Sequence, residues 1–196
     1  MASLGHVAVG LAAGRLHARE RPVKWMGAFA LLSLAPDLDV IGFSFGIPYE
    51  AALGHRGASH SLLVGLLGLA CALAPGPQRL RAGLLGAGVL LSHGVLDALT
   101  TGGLGVAFFW PFDDTRFFFP LRPIPVAPIG RGMASGRGLY VLAAEALLFS
   151  PALLYALWPR RAFKGTSRGS PRAEPASASA RPSSPSPRGS ERDPRG

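Results

Sequence analysis

The sequence predicts an all-α fold, namely a multi-pass membrane bundle of four to five apolar helices followed by a disordered basic tail. Hydrophobic residues make up 48% of the 196 residues and charged residues only 16%, whereas about a quarter of a typical soluble globular chain is charged. The apolar residues are concentrated before residue 159. The segment 159–196 contains no Val, Ile, Leu, Met, Trp or Tyr. A plain soluble domain is therefore disfavoured.

Composition divides the chain into a membrane-embedded domain at 1–158 and a Pro/Ser/Arg-rich tail at 159–196. The tail cannot build a hydrophobic core. It carries nine Arg and Lys against three acids, which is six of the nine net positive charges of the chain. Because Phe163 is the single aromatic residue among these basic residues, anionic lipid is favoured over nucleic acid as the partner of the tail.

Five apolar segments account for the predicted helices. A and B are short for a bilayer, which needs about 20 apolar residues, so they either span it or enter it partway. C is longer, and D is longer still. E has the length of a span and aromatic residues at both ends, as is typical at membrane interfaces, and is the strongest candidate for a spanning helix. The segments are 4–16 (A), 25–35 (B), 61–75 (C), 82–101 (D) and 139–158 (E).

The distribution of basic residues predicts the orientation in the membrane. If the five segments alternate in direction, the A/B turn, the C/D turn and the tail share one side and carry fifteen basic residues, against five on the other. The positive-inside bias makes the fifteen-residue side cytoplasmic. The connection between D and E, 112–138, is rich in Pro, Gly and Arg and is predicted to be an irregular loop on the outer side.

Seven His and Asp residues lie in or next to the apolar segments, where such side chains are costly and usually functional. His93 and Asp97 are four residues apart and share one face of a helix. Asp37 and Asp39 follow Pro36 at the end of B. The alternating topology brings all seven to the outer membrane face. These candidate metal ligands are His6, Asp37, Asp39, His55, His60, His93 and Asp97.

Imidazole and carboxylate ligands together suit Zn, Mn or Fe, with Zn as the first expectation. Seven ligands exceed the needs of one tetrahedral ion, so either one ion or two carboxylate-bridged ions are expected, the latter being common in phosphoesterases. Each element alone has a simpler interpretation. A single histidine at a helix start, such as His6, is more often a cap or a surface residue than a ligand. The sequence Asp-Leu-Asp after a proline is commonly a turn or an N-cap, and 55–61 has the composition of a solvated loop in which Ser59 or Ser61 caps C. Joint placement on one face favours the metal site.

The motifs GH at 5–6, PDLD at 36–39, HRGASHS at 55–61, HxxxD at 93–97 and WPFDD at 110–114 together resemble a known family. It is the bacterial family of membrane-bound metal-dependent hydrolases, also described as LexA-regulated inner-membrane hydrolases. The resemblance covers about residues 1–120. It implies an inner-membrane protein in which the seven His and Asp residues ligate metal, and Ser59 stands where the family pattern usually has Thr or Ser.

The expected function is a metal-dependent hydrolase acting on a phosphoester or another ester of a membrane lipid or membrane-tethered substrate through a metal-activated water. The candidate catalytic residues are Arg56, which would neutralise developing charge, Asp39, which would help to orient the water, and Ser59 of the HRGASHS motif. The alternative is a non-enzymatic multi-pass protein whose His/Asp cluster passes metal ions or protons. That alternative needs polar residues continuing towards the cytoplasmic side, where A, C and D are apolar.

Overall fold

A computed structural model describes residues 4–18, 22–73 and 75–159, and this part of the chain is helical. Within these ranges no β-strand forms, only two isolated β-bridges. The helical fold class is therefore confirmed. The predicted tail lies, beyond Pro159, outside the described residues. The α-helices are Leu4–His17 (α1), Pro22–Leu34 (α2), Leu62–Leu66 (α3), Arg79–Ala98 (α4), Gly136–Leu148 (α5) and Ser150–Leu157 (α6).

Two of the predicted segments continue through a bend instead of forming one straight helix. Segment B, as α2, passes into the 3₁₀ helix Pro36–Phe45 at an angle of 45°. Segment E, expected to be a single span, is two helices, α5 and α6, bent by 67°. A proline stands in the first turn after each bend, Pro36 and Pro151. Proline has no N–H to donate and its ring clashes with the carbonyl of the preceding turn, which breaks a continuous helix.

Segment C also combines two types of helix. Its first turn is α3, and the chain continues as the 3₁₀ helix Leu67–Leu73. The hydroxyl of Ser61 accepts a hydrogen bond from the backbone N–H of Val64 at 3.2 Å and so caps α3. Of the two predicted capping residues, Ser61 makes the cap.

Two bent pairs of helices have the length and apolar composition of a membrane span. Among the described residues, no single helix combines the length and the apolar composition needed to cross a bilayer, but α2 with Pro36–Phe45, and α5 with α6, do so as pairs. Large apolar side chains point outward along these helices, including Leu31, 73% exposed, and Leu147, 78% exposed. Extended apolar surface of this kind is typical of a protein that contacts lipid or another protein.

Helix α1 is central and packs against α2, α4, α5 and α6. Its contact with α2 depends on glycine. A Cβ placed on Gly14 would lie 2.4 Å from the backbone of Met26, and one on Gly10 would lie 2.5 Å from the carbonyl oxygen of Phe29. Two glycines four residues apart are a frequent means of close helix packing in membranes. The α1–α2 pair is thus held backbone to backbone.

The helix ends gather at two poles. At the basic pole, Arg15 of α1 donates to the carbonyls of Ala156 and Trp158, and Arg81 of α4 donates to that of Leu16. At the site pole, the start of α1, the end of α4, the 3₁₀ helix Pro36–Phe45 and the loop 54–60 meet. An apolar layer separates the poles. It consists of buried Ala13, Phe29 and Val89 with Val9, Trp25, Leu32, Cys71 and Leu85 around them.

Candidate metal centre

Four of the predicted ligands converge at the site pole. Asp37 comes from the 3₁₀ helix after α2, His60 from the short 3₁₀ helix Ala58–His60, and His93 and Asp97 from α4. One ligand atom from each lies within 4.8 Å of those of the other three. His60, His93 and Asp97 are buried, and the side chain of Asp37 is 24% exposed. The group is therefore a buried cluster with one partly open member.

The spacing of these atoms matches a coordination polyhedron. The Nε2 atoms of His60 and His93 face each other at 3.1 Å. His60 Nε2 lies 3.2 Å from Asp97 Oδ2, and His93 Nε2 lies 3.3 Å from Asp37 Oδ1. The two longer edges, 3.7 and 3.9 Å, join the same atoms crosswise. Bonds of about 2.1 Å to a tetrahedral ion would put the ligand atoms roughly 3.4 Å apart. The cluster thus fits a divalent ion.

Both histidines are oriented through their other ring nitrogen. His93 Nδ1–H donates to the carbonyl of Ser33 at 2.7 Å. His60 Nδ1–H donates to the hydroxyl of Ser59 at 2.9 Å and lies 3.3 Å from Asp39 Oδ2. Fixing Nδ1 as a donor turns the Nε2 lone pair toward the centre, which is the usual arrangement of metal-binding histidines.

A glycine next to His93 allows the loop to reach α4. A Cβ on Gly94 would lie 2.6 Å from the carbonyl oxygen of His60. Any larger residue would push the His60 segment away from the helix. Gly94 therefore sets the distance between two of the four ligands.

Asp39 and His55 lie behind His60. Asp39 Oδ1 accepts from His55 Nδ1 at 2.7 Å, and its Oδ2 accepts from the hydroxyl of Ser59 and from the backbone N–H of Arg56. Asp39, His55 and His60 form a second group whose ligand atoms are close enough to share an ion. Because the oxygens of Asp39 already accept several protein hydrogen bonds, Asp39 is placed to orient His60, His55 and Ser59.

Arg56 compensates part of the charge of the cluster. It is 2% exposed, its Nε lies 3.1 Å from Asp97 Oδ2, and its Nη1 donates to Thr100 and to the carbonyl of Gly102. The site holds three carboxylates, those of Asp37, Asp39 and Asp97, and this one guanidinium, so a divalent cation would balance the remaining charge.

The protonation of His60 reflects the same excess of negative charge. Burial alone would lower the pKa of His60, but hydrogen bonds to the surrounding carboxylates outweigh it and raise the pKa to about 10. The acidic groups around this imidazole therefore favour a positive charge at the centre.

His6 lies on the far side of His93. The two rings stack with centroids 3.6 Å apart, and His6 Nε2 is 3.7 Å from Asp97 Oδ1, beyond hydrogen-bond distance. His6 is 1% exposed, and neither ring nitrogen has a hydrogen-bond partner among the described residues. Glu145 of α5 accepts from the backbone N–H of Gly5 at 3.0 Å and so holds the start of α1. His6 thus presents unbonded nitrogens beside the cluster.

A cavity of about 430 Å³ opens next to the centre. Asp37, His55 and Arg56 lie at its polar base, and Val40 and Tyr49 line one side. Residues 126–130 and Met133 form an apolar wall of the cavity, and Met133 lies in a short 3₁₀ helix, Gly130–Ala134, within the segment predicted to be an irregular loop. Through the exposed side of Asp37, the cluster is accessible from this cavity.

All seven predicted ligands lie in this neighbourhood, and four of them surround one point. Sequence reasoning missed the carbonyl of Ser33, which carries no sequence signal, and Arg116, which donates to the carbonyls of His55, Tyr49 and Ala51. It also missed the wall at 126–133. Asp113 of the WPFDD motif accepts a hydrogen bond from the backbone N–H of Thr115 and caps a turn.

Comparisons with known proteins show a similarity to inner membrane proteins. The model of a family described as YdjM inner membrane protein matches residues 1–163. The inner membrane protein YbcI of Escherichia coli strain K12 is 37% identical over 166 residues, which cover 80% of this chain and 96% of YbcI. No solved structure matches.

Proposed function

The chain belongs to the YdjM inner membrane protein family, and on that premise we propose that it is a membrane-bound metal-dependent hydrolase. Its substrate is a phosphoester or another ester of a membrane-associated molecule. The family resemblance predicted from the motifs is confirmed by the same comparisons, and both the family and YbcI are described as inner membrane proteins.

One observation carries the proposal: four donor atoms converge at spacings close to those of a tetrahedral site, beside a cavity that Asp37 lines. Asp37, His60, His93 and Asp97 would hold the ion, and the nitrogen and oxygen donor set suits Zn first, or Mn or Fe. A bound divalent cation supplies Lewis acidity, which makes water nucleophilic near neutral pH. The second group around Asp39 and His55 leaves room for a two-ion centre.

The remaining residues of the site bind, orient and exclude water. Asp37 lines the cavity and is placed to orient a water molecule there. Arg56 holds Asp97 in position and adds a positive charge at the cavity base, where a phosphoryl or carbonyl oxygen would gain negative charge. Asp39 and Ser59 orient the imidazoles of His55 and His60.

Orientation follows from the two poles. Arg15, Lys24, Arg79 and Arg81 lie at the helix ends of the basic pole, so the positive-inside bias assigns this pole to the cytoplasm and the cavity to the outer face. The bent pairs α2 with Pro36–Phe45, and α5 with α6, are the crossing elements of this multi-pass arrangement.

The apolar layer favours hydrolysis over transport. A pathway for ions or protons would need polar groups leading from the cluster to the basic pole. Phe29, Val89 and Ala13 fill that position in the described part of the chain, with Trp25 and Leu32 beside them. Access from the cavity side alone is what an enzyme needs.

The first test is metal content. The full-length protein is purified in detergent without chelators, and bound metals are measured by elemental analysis in the native chain and in a His60→Ala, Asp97→Ala double variant. We expect stoichiometric zinc, manganese or iron in the native protein and its loss in the double variant. His17→Ala is the matched control because it removes a buried histidine beside Trp25, away from the cluster.

Activity is tested next with water-insoluble and water-soluble phosphoesters on the metal-loaded protein. Asp37→Asn should abolish hydrolysis, while His17→Ala should retain it. A native protein that binds no metal would overturn the proposal and shift the weight to transport or to a structural role. Metal binding without hydrolysis of any ester would leave the metal centre and remove the enzymatic assignment.

A further inference from the structure

The cavity beside the metal centre has two chemically different halves. Its base is polar, with Asp37, His55 and Arg56. Its wall is apolar, formed by residues 126–130 with Met133, and Val40 adds to the apolar lining. A small soluble substrate would use the base and leave the wall without an occupant. A substrate with a polar head and an apolar part would contact both.

The apolar wall is anchored to the helix that carries the ligands. Directly after α4, Thr100 forms a parallel bridge with Ile124, and the N–H of Thr101 donates to the carbonyl of Ile124 at 2.9 Å. The N–H of Val126 then donates to the hydroxyl of Thr101 at 3.1 Å. Ile124 is 1% exposed. The wall therefore begins at a fixed distance from His93 and Asp97, which a preformed binding site requires.

The segment of the chain that forms the wall carries charged side chains of one sign only. Between Thr115 and Glu145 the chain carries four arginines and no acidic residue. Arg131 and Arg137 are exposed beside the wall, and Arg137 donates to the carbonyl of Val126 at 3.4 Å. Exposed charges of a single sign raise the local concentration of an oppositely charged ligand. Arg131 and Arg137, which form a basic rim beside the wall, thus favour an anionic ligand and disfavour a cationic one.

We propose that this cavity binds an anionic amphiphile, a lipid with a phosphate-bearing head group. The head lies over Asp37, His55 and Arg56, and the first part of the acyl region packs against residues 126–133. This inference rests on the proposed function, because the centre at the base is taken to hold the ion that faces the head group. Ile129, 55% exposed, continues the wall outward, so a longer chain can extend from the cavity into the surrounding lipid.

Binding is measured with three probes of graded chemistry on the metal-loaded full-length protein in detergent, by titration calorimetry. The first probe is the phosphonate analogue of dihexanoyl phosphatidic acid, which resists hydrolysis of its head group. The second is glycerol 3-phosphate, which has the head without the chains. The third is dihexanoyl phosphatidylcholine, which has the chains with a zwitterionic head. We expect the phosphonate lipid to bind at least tenfold more tightly than either of the other two.

Variants separate the two halves of the cavity. An Ile129→Ser, Met133→Ser double variant should bind the phosphonate lipid about tenfold more weakly, or weaker still, because the burial of two apolar side chains is lost. The same variant should bind glycerol 3-phosphate with unchanged affinity. An Arg131→Gln, Arg137→Gln double variant should remove the preference for the anionic lipid over phosphatidylcholine. Leu121→Ser is the control, because Leu121 is 73% exposed and lies outside the cavity lining.

Metal content of every sample distinguishes the two ways of failing. A protein without metal contradicts the proposed function itself. A metal-loaded protein that binds glycerol 3-phosphate as tightly as the phosphonate lipid overturns only the assignment of the wall, and indicates a soluble phosphate ester. Equal binding of the two lipids overturns the assignment of the basic rim.

Discussion

The two poles of the molecule use arginine in different ways. At the site pole, Arg56 is buried and pairs with the carboxylate of Asp97. At the basic pole, Arg15 and Arg81 donate to backbone carbonyls at the ends of α6 and α1. Cations at helix C-termini are stabilised by unpaired carbonyls and by the helix dipole. At the site pole the arginine thus compensates the charge of a buried acidic cluster, whereas at the basic pole the arginines donate hydrogen bonds to the backbone carbonyls at helix C-termini.

The largest effect should come from unpairing the site pole. Asp97→Asn removes a ligand and leaves Arg56 buried without its carboxylate, so we expect a loss of about 3–5 kcal/mol in the free energy of unfolding together with loss of metal. Unfolding in detergent can be followed by tryptophan fluorescence. Asp113→Asn, at an exposed turn, is the control and should retain the metal. Native-like stability of Asp97→Asn would show that the pair with Arg56 is not needed.

Crowding the contact between the loop and α4 should have the next largest effect. A methyl group at Gly94 meets the carbonyl of His60, so Gly94→Ala should cost about 1–3 kcal/mol of stability and weaken metal binding. Gly88→Ala is a matched control on the same helix, because nothing lies within 4 Å of a Cβ there. This control should be neutral or stabilising by about 0.5–1 kcal/mol. Equal behaviour of the two variants would contradict the tight approach at Gly94.

Loosening the orientation of His60 should affect affinity and spare stoichiometry. Asp39→Asn weakens the support of the His60 ring from behind, so we expect metal to bind about 10- to 100-fold more weakly, but still fully at saturation. Competition with a chelator of known affinity measures this. Asp37→Ala, which removes a member of the four-atom cluster, provides the comparison. If Asp39→Asn abolished binding altogether, Asp39 would be a direct ligand, as the sequence analysis predicted for it.

The smallest effect on the metal centre should come from the basic pole. Arg15→Gln removes hydrogen bonds to the carbonyls of Ala156 and Trp158, which should cost about 1–3 kcal/mol in stability and leave metal content unchanged. Thermal unfolding and elemental analysis on the same sample test both parts. Loss of metal in this variant would mean that the poles are coupled through the apolar layer.

The sequence predicts the site better than it predicts the helices around it. His93 and Asp97 could be placed together because helix geometry is local, and the alternating topology brought the other candidates to the same pole. Which of the seven share one point depends on long-range packing, so His6 could not be separated from His60. Pro151 is a local signal for the bend in segment E, but the length of the apolar run led to the prediction of a single spanning helix.

Two features had no counterpart in sequence patterns. The hydrogen bond from His93 to Ser33 ends on a backbone carbonyl, and any residue at position 33 would offer one. The wall at 126–133 is brought to the cavity by the bridge at Ile124, a contact between residues 24 positions apart in an irregular loop. Such contacts follow from the folded chain and leave no periodicity to detect.

If the cluster holds a metal ion, as proposed, the apolar layer also determines where that ion is exchanged. With Phe29 and Val89 closing the side toward the basic pole, the cavity is the route to His60 and His93 in the described part of the chain. Supply and removal of the ion then take place in the compartment into which the cavity opens. Occupancy follows the free metal concentration of that compartment, and a chelator that cannot cross the membrane would strip the ion only when added on that side.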